Sequence, residues 1–288
     1  MKNYVIFTDS GCDINSEVLK EWGVENIDLS FRFEGEEKTY LASDMDINTF
    51  YNRMREGGVA KTMAINPETF ATEFEKALAD GKDVIYLGFS SGLSTTFNSS
   101  KIAAEDLKEK YPDRRIECVD SLCASAGQGL FVYLVAEKSN SGADFDSVVE
   151  YANSIVPNMC HWFTVDDLVY LKRGGRVSPA VALVGKVLGI KPVLHVDNEG
   201  KLISMSKVRG RKAALSALVD KYGELAKSEH SGTVFISNAD CMDDVKELED
   251  MLKSRYNVDV KLVADIGTVI GAHAGPGTIA LFFVAKER

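Results

Sequence analysis

No apolar run in this 288-residue chain approaches the ~20 residues that a membrane-crossing helix needs; the run 279–285 is strand-sized. Nor does Lys2 lead into the apolar core of a signal segment. Cysteine is scarce, with five residues (Cys12, Cys118, Cys123, Cys160 and Cys241) and no C-x-x-C pair. An odd, scattered set excludes a disulfide framework and a zinc site, and points to small core residues in a reducing compartment. Positive charge is also short. With 33 Lys and Arg against 43 Asp and Glu, the net charge is -10, which argues against nucleic-acid or anionic-membrane partners unless a basic patch is segregated. There is no Walker P-loop and no G-x-G-x-x-G, hence no nucleotide site of those kinds. No His/Cys/carboxylate spacing fits a metal. Repeats, low-complexity tracts and long linkers are missing too. The expectation is a soluble, cytoplasmic protein without metal or cofactor.

What is present is ample core material, 45% hydrophobic, at a length that suits roughly two domains. Short apolar runs at 4–8, 27–33, 83–87 and 116–119 alternate with amphipathic stretches. Asn66-Pro67-Glu68 supplies a cap, a proline at the first helical position and an acidic first turn, ahead of Phe70, Phe74, Ala77 and Leu78 on one face. Helices are predicted near 125–138 and 144–156. This alternation predicts a mostly parallel sheet flanked by helices.

After Pro157 the rhythm changes. A strand at 160–165 and short helices at 166–172 and 179–188 come first. A hairpin of 191–196 and 201–208 follows, with Gly200 at its left-handed position. Helices carrying Leu215, Leu218 and Tyr222, then Val245, Leu248 and Leu252, are interleaved with strands at 233–237, 258–263 and 278–284. The expected architecture is therefore α/β: two packed domains, 1–157 and 158–288. The second holds a mixed sheet, and the ligand lies in the cleft between them.

The segment 84–99 says most about function. A buried strand, Val84 to Leu87, empties into a Gly/Ser-rich turn and then a helix bearing Phe97, Ala104 and Leu107. Hydroxyls and free N–H groups meet at a helix start, which attracts an anion. Ser94, read as the helix cap, is followed by more hydroxyls at Thr95 and Thr96 than capping requires. The same turn contains Gly88-Phe-Ser-Ser-Gly92, a G-x-S-x-G elbow, so a serine hydrolase with Ser90, Asp265 and His273 can be written down. Against it, the helix begins several residues late and no upstream oxyanion motif exists. No catalytic residue is assigned; a binder of some other small carboxylate or phosphate metabolite is the third reading.

Gly271-Ala-His-Ala-Gly-Pro-Gly277 reads as a tightly routed loop around His273, able to hydrogen-bond an anion. His161, His195 and His230 read as ordinary structural histidines. Asp9 and Asp13, at the end of the first strand, suit turn hydrogen bonds as well as acid chemistry or metal ligation. Two basic clusters stand out in an acidic chain. Leu171-Lys-Arg-Gly-Gly-Arg176 looks like a helix end with its glycine cap, and Arg209-Gly-Arg-Lys212 sits at a helix start, where positive charge is unfavourable. Both suit docking of an anionic or phosphate-handling partner.

Together, Thr8-Asp-Ser-Gly-Cys-Asp13, Lys61-Thr62 ahead of Asn66-Pro67, Ser90-Ser-Gly-Leu-Ser94, Leu171 to Arg176, Ile190-Lys-Pro192, Val208 to Lys212 and Gly271 to Gly277 resemble the DegV family across nearly the whole chain. These are bacterial fatty-acid-binding proteins, the acyl-carrying subunits of a two-component fatty acid kinase. The resemblance implies a long-chain fatty acid buried between the domains, its carboxylate held at Thr62, Ser94 and His273. A separate ATP-dependent kinase subunit would convert that carboxylate to an acyl phosphate, with Arg173 and Arg209 as partner or phosphate contacts. Thr95 departs from the glycine that family members often carry, and so either adds a hydroxyl to the head-group site or crowds it.

Overall fold

The computed structural model describes residues 3–178, 189–227 and 232–288. The helix expected at 179–188 and His230 lie outside these ranges. A parallel sheet is built from β1 (Tyr4–Asp9), β2 (Val24–Ile27), β6 (Asp83–Gly88) and β7 (Ile116–Asp120), in the order β2-β1-β6-β7. Alternation along β6 sends Val84 and Tyr86 to one face and Ile85 and Leu87 to the other. The first pair packs under the helices Pro67–Ala79 and Thr96–Lys110, the second under Ala126–Asn140. The Asn66 cap forms as expected, its side chain accepting the Thr69 N–H at 2.8 Å.

The second sheet has the order β10-β9-β8-β13-β11-β12, from β8 (Met159–Thr164), β9 (Ile190–Val196), β10 (Leu202–Arg209), β11 (Phe235–Asn238), β12 (Leu262–Asp265) and β13 (Ile279–Val284). Its pairs are antiparallel except β11–β12, so the sheet is mixed, as expected. Helices Arg211–Leu225 and Met242–Tyr256 cover its outer face. Its inner face rests on Ala126–Asn140, which also carries the parallel sheet. From Leu130 to Ala136 that helix is apolar on every side because it is buried there, and its last turn, with Glu137 and Asn140, reaches solvent. One core therefore runs across the turn Val156–Asn158, where the parallel half passes into β8.

Several expectations need correction. The run 27–33 is not one strand: β2 ends at Ile27, and β3 (Ser30–Phe33) joins a small antiparallel sheet with β4 (Tyr40–Leu41) and β5 (Ala60–Met63). The break is held by polar contacts, since the Leu29 N–H donates to Ser10 Oγ and Asp28 accepts from Asn26 and Ser43. The strand expected at 258–263 forms later, at Leu262–Asp265. The glycine-rich stretch 271–277 is a loop only in its second half. Residues Thr268–Ala274 are helical, and a side chain at Gly271 would press on Tyr51 and Phe50. Gly271 thus permits close packing, while Gly275 and Gly277, both at φ +79, make the turn.

Candidate functional site

A cavity of about 500 Å³ opens where the carboxyl ends of the parallel strands meet the inner face of the mixed sheet, a size common for small-molecule sites. Its walls are largely apolar, with Leu29, Phe89, Phe163, Val269, Ile270 and Phe282 among them. Its polar lining includes Thr62 at the end of β5, Ser94 and Thr95 before the helix Thr96–Lys110, Arg176, and His273 in the last turn of its helix. The structure thus brings Thr62, Ser94, Thr95 and His273 to one cavity.

Thr62 Oγ1 lies 2.8 Å from His273 Nε2. The other face of the imidazole packs on Gly174, where an added methyl group would overlap Nδ1. Nδ1 itself has no partner among the described residues. Burial, with the Arg176 guanidinium nearby, lowers the His273 pKa to about 4, so the ring is neutral at pH 7. Arg176 is a clamp: Nε and Nη2 donate to the Leu93 carbonyl at 3.1 and 2.8 Å, and Nη1 donates to the Gly174 carbonyl. It ties the turn before Ser94 to the segment against which His273 rests.

The helix start lies one residue later than expected. Thr95 is the cap residue, yet its side chain makes no capping bond. Ser94 Oγ instead accepts the Thr96 N–H at 3.2 Å and lies 2.9 Å from Thr96 Oγ1. The first-turn N–H groups of a helix have no partners within it, and here Ser94 Oγ takes up that of Thr96.

The other candidates fall elsewhere. Ser90 is fully buried, its hydroxyl donating to the Gly200 carbonyl at 2.8 Å and accepting the Gly92 N–H at 3.1 Å. It is a strut to the β9–β10 turn, and no hydrogen bond among the described residues joins Ser90, Asp265 and His273. Arg173 is exposed and lies over the Tyr170 ring; Arg209 is exposed at the end of β10. Neither lines the cavity. Arg211 resolves the unfavourable charge at its helix start by pairing with Asp244 at 2.8 Å and donating to the Gly277 carbonyl at 2.6 Å. Asp9 is an anchor, accepting from Gly11 N, Phe89 N and Tyr86 Oη. Asp13 accepts from Ser125 Oγ at 2.5 Å and Gly267 N at 3.0 Å, and burial raises its pKa to about 8. No metal-holding cluster occurs among the described residues.

Gly174 and Arg176, both close to His273, escaped the sequence reading as site positions. Gly174 has a right-handed backbone, φ -73, while Gly175 at φ +72 ends the helix. A second glycine with no conformational need was the available signal for a close neighbour. Arg176 gave no such signal, because the basic run had a sufficient explanation as a helix end. His195 is structural, its Nδ1 2.7 Å from the His161 carbonyl, but His161 lines the cavity, contrary to expectation.

A family model described as "Uncharacterised protein, DegV family COG1307" matches residues 3–286. A DegV domain-containing protein of Clostridium perfringens is 39% identical, covering 100% of this chain and 99% of its own. Among solved structures, a DegV lipid-binding protein from Thermotoga maritima superposes with a TM-score of 0.85 at 30% identity over 100% of both chains. A stearic acid-binding protein from Eubacterium ventriosum superposes at 0.88 with 26% identity, covering 98% of each chain.

Proposed function

The chain belongs to the DegV family, and on that premise we propose that its cavity holds one long-chain fatty acid. The carboxylate sits at Thr62, Ser94 and His273, and the tail lies along the apolar walls. The observation that carries this reading is an apolar cavity that also gathers a hydroxyl–imidazole pair, two further hydroxyls, a guanidinium and the start of a 15-residue helix. The solved structure described as a stearic acid-binding protein supports the ligand class.

The roles follow from the geometry. When neutral His273 donates its Nε2 proton to Thr62 Oγ1, the threonine hydroxyl proton is free for a carboxylate oxygen. The Ser94 hydroxyl and helix N–H groups meet the same anion, with Thr95 adding a hydroxyl beside them. Arg176 contributes positive field, held in place by three N–H bonds to the Leu93 and Gly174 carbonyls. The chain presents this head group to a separate ATP-dependent kinase subunit, which forms the acyl phosphate. The exposed Arg173 and Arg209 are the charges offered to that partner or to the phosphate.

Solvent extraction and mass spectrometry of the purified protein test the ligand. A C14–C18 acid at near one equivalent is expected. Recovery of a polar carboxylate or phosphate metabolite instead would overturn the assignment.

A further inference from the structure

The cavity has an open end and a closed one. Ser91, Thr95 and Asn98, all exposed, line it beside Ser94, whereas Ser125, His161, Ser237 and Phe282 line it and are all buried. Strand register separates the two ends. Thr278 Oγ1 donates to the Ala274 carbonyl, next to His273, and Thr278, Ala280 and Phe282 all line the cavity. Phe282 therefore stands four residues, or about 13 Å, beyond the head-group segment. His161 is its partner across the sheet, and the two rings meet edge to face at 5.2 Å. The polar atoms of this end are engaged within the protein. Ser125 Oγ is bonded to Asp13 and Ser237, and His161 Nε2 accepts the Ala124 N–H at 3.4 Å. What the closed end offers a ligand is carbon. Behind the ring pair passes the helix Ala126–Asn140, at Gly127, where an added methyl group would overlap His161 Nε2 and lie 2.7 Å from Phe282 Cδ1. Gly127 is helical and needs no left-handed backbone, so the close approach of the rings is what requires glycine there.

We infer that the His161–Phe282 ring pair, seated by Gly127, is the stop for the methyl end of the acyl tail and sets the chain length this protein prefers. This deepens the fatty-acid reading above and rests on it. Each methylene that fits between the carboxylate site and the rings tightens binding about fourfold. A longer acid must displace two closely packed rings, so its extra carbons cost more than they contribute. Phe282 and His161 touch the tail; Gly127 is a positioning residue that acts through them.

The test is competitive displacement of a fluorescent fatty acid from the delipidated full chain by the saturated acids from C12 to C20. In the wild type, affinity should rise about fourfold per methylene to an optimum length and then fall. Phe282→Leu, which shortens the wall, should move that optimum about two carbons longer. Gly127→Ala, which drives the rings into the cavity, should move it shorter, as should Ala280→Leu, which projects into the cavity ahead of them. Thermal unfolding shows which variants fold, and Phe282→Leu with Ala280→Leu decides the matter if Gly127→Ala does not. A purely structural role would weaken every length alike, so an optimum that stays in place in Phe282→Leu refutes the stop while fatty-acid binding stands. Affinity that climbs through C20 in the wild type refutes it too. Failure of every length to displace the probe from the wild type would instead remove the fatty-acid reading itself.

Discussion

Replacing Gly174 by alanine isolates the contact that sets the His273 ring. The backbone there is right-handed, so alanine meets no conformational penalty and by itself gains about 0.4–1 kcal/mol through the unfolded chain. The methyl group, however, would overlap Nδ1 and lie 3.0 and 3.1 Å from Cε1 and Cγ, whereas ordinary contact begins near 3.4 Å. The imidazole must therefore swing off its 2.8 Å bond to Thr62 or push into the head-group space. Losing that bond and a correctly placed carboxylate contact costs about 1.5–3 kcal/mol, some ten- to hundredfold in Kd. Gly175→Ala is the matched contrast. At φ +72, with open space around it, alanine there costs about 1–2 kcal/mol of stability and leaves the ring alone. Fatty-acid titration and thermal unfolding of both variants separate the effects: affinity falls in Gly174→Ala, and Tm falls in Gly175→Ala. Unchanged affinity in Gly174→Ala would refute the idea that this glycine exists to seat His273.

Ser94→Ala and Thr62→Ala should each weaken fatty-acid binding by about 1–3 kcal/mol without unfolding the chain, and equal affinity in both by calorimetry would remove the carboxylate assignment. Asp13 is raised from 3.8 to about 8, so the folded state holds a proton that the unfolded chain releases. Its contribution is complete below pH 3.8 and is lost as pH rises to 8, at up to about 1.4 kcal/mol per unit. His273 has the opposite sign: lowered from 6.5 to about 4, its contribution is complete above 6.5 and is lost on acidification toward 4. Between pH 6.5 and 8 only the Asp13 loss operates of these two, so Asp13→Asn should flatten the denaturant-derived stability profile in that window; an unaltered slope would contradict the burial argument. Ser90→Ala should lose about 1–3 kcal/mol of stability by leaving the Gly200 carbonyl unpaired, and a fluorophosphonate should label neither form. Labelling at Ser90 would revive the hydrolase.

The parallel half was legible because its signals are local and agree with one another. Apolar runs such as 83–87, the Asn66-Pro67 cap and the period of Phe70, Phe74 and Leu78 all specify the same elements. The mixed sheet was legible for the same reason, down to Gly200 in its turn, except for its edge strand, expected at 258–263 and formed at Leu262–Asp265. What misled was glycine. Gly271 reads as a loop residue but lets a helix approach Tyr51, and Gly174 reads as a cap but admits an imidazole from a hundred residues away. Gly92 likewise makes room for the backbone of Glu199 and Gly200. Sequence shows that a glycine is present; only the fold shows whether a left-handed turn or a close neighbour requires it. The break after Ile27 failed to show for a related reason, because Ser10, Asp28 and Ser43 hold it across distant segments.

The division of labour within the cavity follows from magnitudes. Burying an alkyl chain contributes about 0.8 kcal/mol per CH₂, so a long tail outweighs any one polar contact to the carboxylate. Under the proposed function the head-group residues are therefore not needed to retain the acid; their proposed effect is to fix which end faces Thr62 and Ser94. A neutral His273 suits that task. A buried imidazolium paired with the carboxylate would add a large desolvation penalty and neutralise the oxygen that a phosphoryl donor must meet. In the proposed site, hydroxyls and helix N–H groups instead hold the anion while leaving it nucleophilic. Arg176, fixed by three of its N–H groups on the Leu93 and Gly174 carbonyls, adds positive field beside them. A binding site built for retention alone gains most from more apolar wall; a set of weak, oriented donors around one end fits the proposed presentation to a second protein.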